Sequence, residues 1–280
     1  MNDPQELIHT RIWDEIPEPD NPFAAAVCRC AGYDVYGDLL GKARWIDYLY
    51  LLFKLERPTP PQATLLEGLA VALANPGPRD PAVHAAMSAG VGGSTRASAL
   101  MAALAVGAGQ RGGAREVAEA MAAWDRCGTQ LEAWRQWFAE PPRDERADLW
   151  LSSAHPPGFD PYGRHCPRPV QQTLAVLAGC SPGPHLPWLQ QVRPQLESLA
   201  GHPLAMTGVA AAALRDLAFT PEQGEMLFLL LRLPGAAAHA LEQEQQGWRR
   251  FPFFNGVVQL ENAPSCESPD TARLPHDHGT

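Results

Sequence analysis

The chain lacks a basic excess, a long apolar run and a recognisable leader. Its 280 residues carry a formal net charge of −9, whereas proteins that bind nucleic acid present basic patches to the phosphates. No apolar run reaches the roughly 18 residues that a membrane-spanning helix needs. The first residues, Met-Asn-Asp-Pro-Gln-Glu, show neither the basic start nor the apolar stretch of a signal peptide. We therefore expect a soluble, cytoplasmic protein with neither a membrane nor a nucleic acid as partner.

The chain also lacks the cysteine spacing of a zinc or redox site. Only one residue separates Cys28 from Cys30, whereas zinc sites and redox pairs commonly use two. The six cysteines are expected to be free and reduced, and no metal site is predicted. For Cys166 two interpretations stay open. Nearby His165 and arginines favour a reactive thiolate, or the thiol is a bystander in a loop.

Alanine-rich stretches with few β-branched runs indicate a protein built mainly from helices. Many of the 28 prolines lie at segment boundaries, where proline ends one helix or begins the next. Apolar spacing predicts helices over 44–54, 62–74, 81–91, 94–108, 114–124, 127–138, 169–179, 188–200, 203–219, 221–232 and 235–245. We further predict a short helix over 21–32, a strand pair or a turn over 32–40, mostly loop over 141–168 and a short strand over 256–260.

A glycine pair closes the small-residue helix of 94–108. Residues 110–116 read Gln-Arg-Gly-Gly-Ala-Arg-Glu, and paired glycines let the backbone approach a ligand or another helix closely. The segment resembles Leu-His-Gly-Gly-Ala-Asn-Glu of the citrate synthase family, in which the histidine is catalytic. Here Arg111 stands at the position of that histidine. A guanidinium stays charged, so Arg111 is able to polarise a carbonyl without transferring a proton, or it forms a structural ion pair.

Two further stretches resemble the same family. Residues 65–77 end in Ala-Asn-Pro-Gly and resemble the family helix that runs into Ala-Asp-His-Gly. This resemblance makes Asn75 a substrate-binding candidate. It also places Pro76 at the position of the family's substrate-contacting histidine. Residues 157–161, Pro-Gly-Phe-Asp-Pro, resemble Pro-Gly-Phe-Gly-His, so the second catalytic histidine falls on Pro161. Shortly afterwards Cys-Pro-Arg resembles Asp-Pro-Arg, which implies that Arg168 binds substrate or coenzyme A.

The most specific resemblance covers residues 228–243. This stretch is similar to the family's Arg-x-x-Gly-x-x-Ala-His-x-x-Glu helix, which implies that Arg232 binds a substrate carboxylate. Arg249 or Arg250, just before Phe-Pro, approximates a further carboxylate-binding arginine that reaches the partner subunit's site. The family's catalytic aspartate falls near Leu204.

Together these stretches resemble short citrate synthases and citryl-CoA lyases over residues 40–252. The resemblance implies an all-α fold with a large helical domain (1–112 and 206–280), a smaller inserted helical domain (113–205) and an active-site cleft between them. It implies a homodimer whose interface includes helix 94–108. It also implies an enzyme that makes or cleaves a carbon–carbon bond next to the thioester of a carboxylated acyl-CoA. Coenzyme A is then part of the substrate, an acyl-CoA or polycarboxylate is the ligand, and no cofactor is bound covalently.

The family's proton-transfer groups are replaced in this chain, and each such group typically contributes about 10²–10⁴-fold to the rate. Three explanations stay open. Nearby residues replace them as the catalytic set, the candidates being Arg111, His155, Asp160 and His165; a histidine titrates near neutrality and suits this role. Alternatively, the chain catalyses a related but different reaction. In the third explanation it is a non-catalytic paralogue that binds a CoA ester or a carboxylate and has a regulatory or scaffolding role.

Overall fold

The structure, a computed structural model, describes residues 10–140 and 155–251. Within these ranges a small antiparallel sheet precedes ten α-helices, which confirms the predicted all-α class. The strands are β1 (Trp13–Pro17), β2 (Ala25–Cys30) and β3 (Tyr33–Asp34). The helices are α1 (Trp45–Lys54), α2 (Pro60–Leu73), α3 (Pro81–Val91), α4 (Arg96–Gly107), α5 (Ala114–Cys127), α6 (Leu131–Ala139), α7 (Arg168–Cys180), α8 (His185–Ala200), α9 (Met206–Asp216) and α10 (Pro221–Gln246). The strand predicted at 256–260 lies outside the described residues.

The helix predicted over 21–32 is wrong, because this part of the chain forms β2. Strand β2 pairs with β1, with Trp13 opposite Cys30. Only Cys30 of β2 is buried, so a helix here would have no apolar face to bury. Residues 32–40 form the short β3 and then one turn of π-helix at Val35–Leu39, which begins where the Asp34 side chain accepts hydrogen bonds from two backbone N–H groups.

The main core is continuous across the chain. It collects side chains from α1, α2 and α5 to α10, with α9 at its centre; every residue from Val209 to Leu214 is fully buried. A second cluster joins α3, α4 and α10. The main core contains side chains from both predicted domains, the large one (1–112 and 206–280) and the inserted one (113–205). The two predicted domains therefore do not have separate cores, and the division into domains stays a prediction. None of the helices in the described ranges combines the length and apolar character needed to cross a bilayer.

Helix α8 is capped by a side chain from another helix. Asp216, at the end of α9, accepts hydrogen bonds from the backbone N–H groups of His185 (2.8 Å) and Leu186 (2.9 Å) and from the Ser181 hydroxyl (2.6 Å). Its carboxylate also lies 2.7 Å from His185 Nδ1. Burial raises the pKa of Asp216, but these hydrogen bonds outweigh burial and hold the pKa below its ordinary value.

The prediction of two helices over 221–232 and 235–245 is also wrong, because α10 runs unbroken through Pro234. Pro234 lies on the exposed side, where water can satisfy the carbonyl that lacks a partner. The next residue, Gly235, donates its N–H to Ala74 O at the end of α2, 2.7 Å away. A Cβ atom at Gly235 would lie 2.8 Å from Asn75 Cα and closer still to Ala74 O. The glycine therefore permits α10 to cross the end of α2 at backbone contact.

Candidate functional site

A buried carboxylate, Glu116, joins the segments that the sequence singles out. Glu116 is 2% exposed. Its Oε2 accepts the Gly112 N–H at 2.6 Å, and its Oε1 accepts the Gly158 N–H at 3.0 Å and the Thr207 hydroxyl at 2.6 Å. His155 Nε2 lies 3.6 Å from Oε2. One side chain in the first turn of α5 thus joins three segments: residues 111–113 (the Arg-Gly-Gly loop), residues 157–159 (the Pro-Gly-Phe loop) and the start of α9.

The Arg-Gly-Gly loop needs its glycines for two reasons. Gly112 has a φ of +72°, a left-handed conformation that glycine adopts most readily. Gly113 packs so closely on the preceding turn that an added Cβ would lie 2.7 Å from Gly107 O. The Gly112 peptide is held on both sides, because its N–H meets Glu116 while its carbonyl accepts from Arg232 Nη1 at 3.1 Å. The neighbouring Arg111 is exposed.

Arg232, the predicted carboxylate ligand, already has a carboxylate partner within the chain. Its Nη2 pairs with Asp80 Oδ2, and its guanidinium carbon lies 4.8 Å from the centre of the Phe228 ring. Arg232 as a whole is 9% exposed. Asp80 also caps α3, because its Oδ1 accepts the N–H groups of Ala82 and Val83. The pair therefore ties the start of α3 to α10 and, through Gly112, to the Arg-Gly-Gly loop.

The Pro-Gly-Phe loop packs against the start of α9. Gly158, with a φ of +89°, lies so close to Gly208 that an added Cβ would be 2.9 Å from Gly208 Cα. Phe159 forms an isolated antiparallel bridge with Leu204, and the Asp160 N–H donates to Pro203 O at 2.8 Å. The stretches around Pro161 and Leu204, where the resemblance puts two proton-transfer groups, are consequently neighbours in space.

The candidate proton-transfer residues lie in different surroundings. The His155 side chain is 2% exposed and sits beside Glu116, with its ring 6.5 Å from that of His202. Asp160 accepts the Tyr162 N–H at 2.9 Å, as aspartates do in tight turns. His165 is exposed. The structure thus gathers His155 and the loop of Arg111 around Glu116, and it places His165 at the surface.

Asn75 is oriented by its neighbours. Its Oδ1 accepts the Gly77 N–H at 3.1 Å, and this hydrogen bond fixes which of the two amide atoms is the oxygen. His239 Nε2, 3.0 Å from the same oxygen, must then be the donor. His239 Nδ1 lies 3.5 Å from Glu242 Oε2. Asn75 is exposed, and among the described residues no acceptor is seen for its amide N–H groups, which leaves them available as donors.

The remaining predicted binding residues are exposed arginines. Arg168 is the first residue of α7, and Arg249 and Arg250 belong to a short 3₁₀ turn, Trp248–Arg250, after α10. None of the three has a salt bridge among the described residues.

For Cys166, the reactive-thiolate interpretation is wrong. The residue is 2% exposed, and burial, helped by nearby Glu197, raises the pKa of its thiol to about 11. The thiol is therefore protonated near neutral pH. In the part of the chain that the structure describes, no three His, Cys, Asp or Glu side chains converge as metal ligands do.

Sequence reasoning missed three members of this arrangement, namely Glu116, Asp80 and Thr207. A signal exists for one of them, because Asp80 precedes Pro81 and Asp-Pro is a favoured way to begin a helix. Its partner Arg232 is 152 residues away, and no local pattern indicates that pairing. Glu116 is part of the glycine-pair segment, but a glutamate in a first helical turn ordinarily faces solvent.

The helices have a citrate synthase-like arrangement, the fold seen in structures of citryl-CoA lyase and ATP citrate lyase. The citryl-CoA lyase from Hydrogenobacter thermophilus matches with a TM-score of 0.69 and 19% identity over 94% of this chain and 98% of that chain. Neither a protein-family model nor a curated protein sequence matches.

Two ATP citrate lyase structures match with the same TM-score of 0.69. The enzyme from Methanothrix soehngenii, in complex with citrate and coenzyme A, is 20% identical. A mutant enzyme from Methanosaeta concilii, in complex with (3S)-citryl-CoA, is 18% identical. Both alignments cover 94% of this chain but only 43% of the other. At these identities the likeness establishes the fold, and function has to be argued from the site.

Proposed function

We propose that the chain binds a coenzyme A thioester of a carboxylated acyl group and makes or cleaves the carbon–carbon bond next to the thioester, as a citryl-CoA lyase-like enzyme with an altered catalytic set. The observation that carries the proposal is the cluster around Glu116. It brings together segments that are far apart in sequence, in a fold shared with proteins that bind coenzyme A and citryl-CoA.

The binding part of the proposal depends on exposed donors. Arg168, Arg249 and Arg250 are exposed and suit carboxylate or phosphate groups, which arginine binds through two parallel hydrogen bonds. Asn75 adds amide N–H donors that Gly77 and His239 hold in place. Arg249 and Arg250 are proposed to reach the site of a second copy.

The chemical part of the proposal assigns Arg111 as the group that polarises the substrate carbonyl, because a guanidinium stabilises developing negative charge without losing its proton. In the cleavage direction a tertiary hydroxyl loses its proton and becomes a carbonyl. The adjacent carbon–carbon bond breaks, and the carbon next to the thioester takes up a proton. His155, Asp160 and His165 are the candidates to move these protons. The reaction is balanced without a redox partner or a metal.

The homodimer is likewise a proposal, supported by exposed apolar side chains on two adjacent helices. Helices α4 and α10 pack together through Leu104, Gly107 and Leu229. Their outer sides expose small or apolar residues, namely Ala97, Met101 and Ala105 on α4 and Met226, Leu230 and Leu241 on α10. A second copy fits this surface, because small residues allow helices to pack closely across a two-fold axis.

A charge placed on this surface tests the dimer. Met101 is 66% exposed and Leu230 is 44% exposed, and the double variant Met101→Glu/Leu230→Glu should be a monomer by light scattering. Val71→Glu, at an exposed position on α2 (75%), is the control and should leave the mass unchanged. A monomeric parent chain, or a double variant that stays dimeric, would contradict this interface.

Three observations favour the second candidate function, a non-catalytic CoA-ester or carboxylate-binding paralogue with a regulatory or scaffolding role. His155 is buried against Glu116, and the Asp160 carboxylate already accepts a hydrogen bond within its own loop. The positions that the resemblance assigns to the two catalytic histidines and the aspartate hold Arg111, Pro161 and Leu204, none of which transfers protons near neutral pH. Binding without turnover is what this second function predicts.

Ligand binding and turnover separate the two candidates. Thermal unfolding is followed with coenzyme A, acetyl-CoA, citrate and oxaloacetate; a ligand at about 100 times its Kd stabilises the folded state by roughly 2.7 kcal/mol. Arg168→Ala should lose the CoA-dependent shift, whereas Arg135→Ala, at an exposed arginine on α6, should keep it. Citryl-CoA is then incubated with the protein, and acetyl-CoA and oxaloacetate are measured. Cleavage supports the enzyme, binding without cleavage supports the paralogue, and no shift with any compound contradicts both.

A further inference from the structure

Building on the proposed function, we propose that Asp80 is a specificity-determining residue that keeps ligand carboxylates away from Arg232. The Asp80 carboxylate forms an ion pair with the guanidinium of Arg232, to which a ligand carboxylate would otherwise bind. The ligand group lying against Arg232 is then uncharged, and the negatively charged groups of the ligand bind to the exposed arginines instead.

Each terminal nitrogen of the Arg232 guanidinium already has an acceptor. Its Nη1 donates to Gly112 O at 3.1 Å, its Nη2 pairs with Asp80, and one face of the guanidinium lies over the Phe228 ring. The side chains of Arg232 and Asp80 are only 10% and 15% exposed. A ligand carboxylate that binds both terminal nitrogens side by side would therefore compete with a main-chain carbonyl and with a carboxylate that is itself held in place by capping α3.

Charge balance leads to the same conclusion. The pair of Arg232 and Asp80 has one positive and one negative charge. The Gly112 peptide connects Arg232 to a further charged group, Glu116, which is negative. A second carboxylate at Arg232 would leave two anions sharing one cation in a mostly buried place, where unpaired charge is costly. Arg168, Arg249 and Arg250, in contrast, are exposed and have no such partner among the described residues. The substrate class is accordingly an acyl-CoA whose acyl group is neutral at this end, and not a tricarboxylate that needs Arg232.

The structure offers a variant that removes the charge of Asp80 and keeps its cap. Asparagine caps helices as well as aspartate does, so in Asp80→Asn the amide oxygen still accepts the N–H groups of Ala82 and Val83. Arg232 then lacks its carboxylate partner. The matched control is Asp47→Asn. Asp47 is likewise bound to an arginine near a helix start, Arg44, but lies outside the segments around Glu116.

Titration calorimetry with citrate, tricarballylate, sulfate and coenzyme A tests the proposal. Asp80→Asn should bind the two tricarboxylates at least about tenfold more tightly than the parent chain, because a charged donor becomes available. Asp80→Asn/Arg232→Gln should lose that gain, and Asp47→Asn should show none. Asp80→Ser, which also caps a helix and carries no charge, should show the same gain, so the test remains available even if Asp80→Asn does not fold.

Three results would overturn the proposal: no tricarboxylate gain in folded Asp80→Asn or Asp80→Ser, an equal gain for sulfate, or a gain that persists in Asp80→Asn/Arg232→Gln. The coenzyme A titration keeps this outcome separate from the proposed function. If coenzyme A binds and Asp80→Asn gains nothing, the role of Asp80 is refuted while the CoA site stands. If the tricarboxylate gain appears but coenzyme A binds to no variant, the role of Asp80 stands and the proposed function fails.

Discussion

Replacing Glu116 with glutamine should destabilise the protein far more than the loss of one negative charge on a surface would. The carboxylate of Glu116 is an acceptor only, and its two oxygens receive the N–H groups of Gly112 and Gly158 and the hydroxyl of Thr207. A glutamine amide has one oxygen and one NH2 group. Either the Gly112 N–H or the pair formed by Gly158 and Thr207 must then face another donor on the buried side chain of residue 116.

The structure sets the magnitude. In the better amide orientation the oxygen keeps Gly158 and Thr207, and the amide NH2 meets the Gly112 N–H. The amide NH2 and the Gly112 N–H are left without an acceptor in a partly buried place, at about 1–3 kcal/mol each, so Glu116→Gln should lose about 2–6 kcal/mol of unfolding free energy. Thr207→Val removes one hydroxyl donor and should cost only about 1 kcal/mol.

Urea unfolding at one fixed protein concentration, followed by circular dichroism, measures these differences. The control is Glu119→Gln, one turn further along α5. Glu119 is partly exposed and binds the side chains of Arg115 and Gln110, so its loss should cost less than about 1 kcal/mol. If Glu116→Gln unfolds within about 0.5 kcal/mol of the parent chain, the carboxylate does not join these segments and the reasoning is refuted.

Three further predictions follow from the packing and the pKa values. Gly235→Ala should cost about 1–3 kcal/mol in chemical unfolding because its Cβ meets the main chain at the end of α2, whereas Gly179→Ala, where a Cβ meets nothing within 4 Å, should be neutral or stabilising; equal costs would contradict the close crossing. Hydrogen bonds hold the pKa of Asp216 low although burial raises it, so its carboxylate stabilises the fold above the unfolded pKa of about 3.9. That contribution disappears as pH falls through the folded pKa. The stability gap between parent and Asp216→Asn should therefore narrow below about pH 4, and a gap independent of pH would refute the argument. Cys166, with a buried thiol whose pKa is about 11, should react with iodoacetamide at pH 7.5 only after denaturation, as mass spectrometry of the labelled peptide can establish.

Helices that end in local signals were predictable from the sequence. Helix α3 runs over Pro81–Val91 as predicted, because Asp80 and Pro81 mark its start. Helix α10 was split in the prediction because proline is a reliable helix breaker in most contexts. The helix continues because Pro234 faces outward and Gly235 bonds to another helix, and neither fact is encoded within a few residues of the proline. Strand β2 was missed because its pairing with β1 depends on a contact across a turn.

The site divides in the same way. The glycines of the Arg-Gly-Gly and Pro-Gly-Phe loops could be recognised, since close backbone approach leaves glycine as the fitting residue. The partners of these loops could not be predicted from the sequence, because Glu116 is 42 residues from Gly158 and 91 residues from Thr207. The engagement of Arg232 by Asp80 had no precursor in the sequence either. An arginine in a motif indicates a positive charge, but only the fold reveals which negative charge it already meets.

Helix α10 has a consequence beyond its contacts. Its 26 residues form a rod about 39 Å long at 1.5 Å per residue. One side presents Arg232, Gly235 and His239 to α2, α3 and the Arg-Gly-Gly loop, while the opposite side exposes Met226 and Leu230. If two copies pair through that outer side, α10 contacts both the candidate site and the second copy. A ligand that shifts α10 on binding would then also change the contact between the copies, and binding to such a pair would be cooperative.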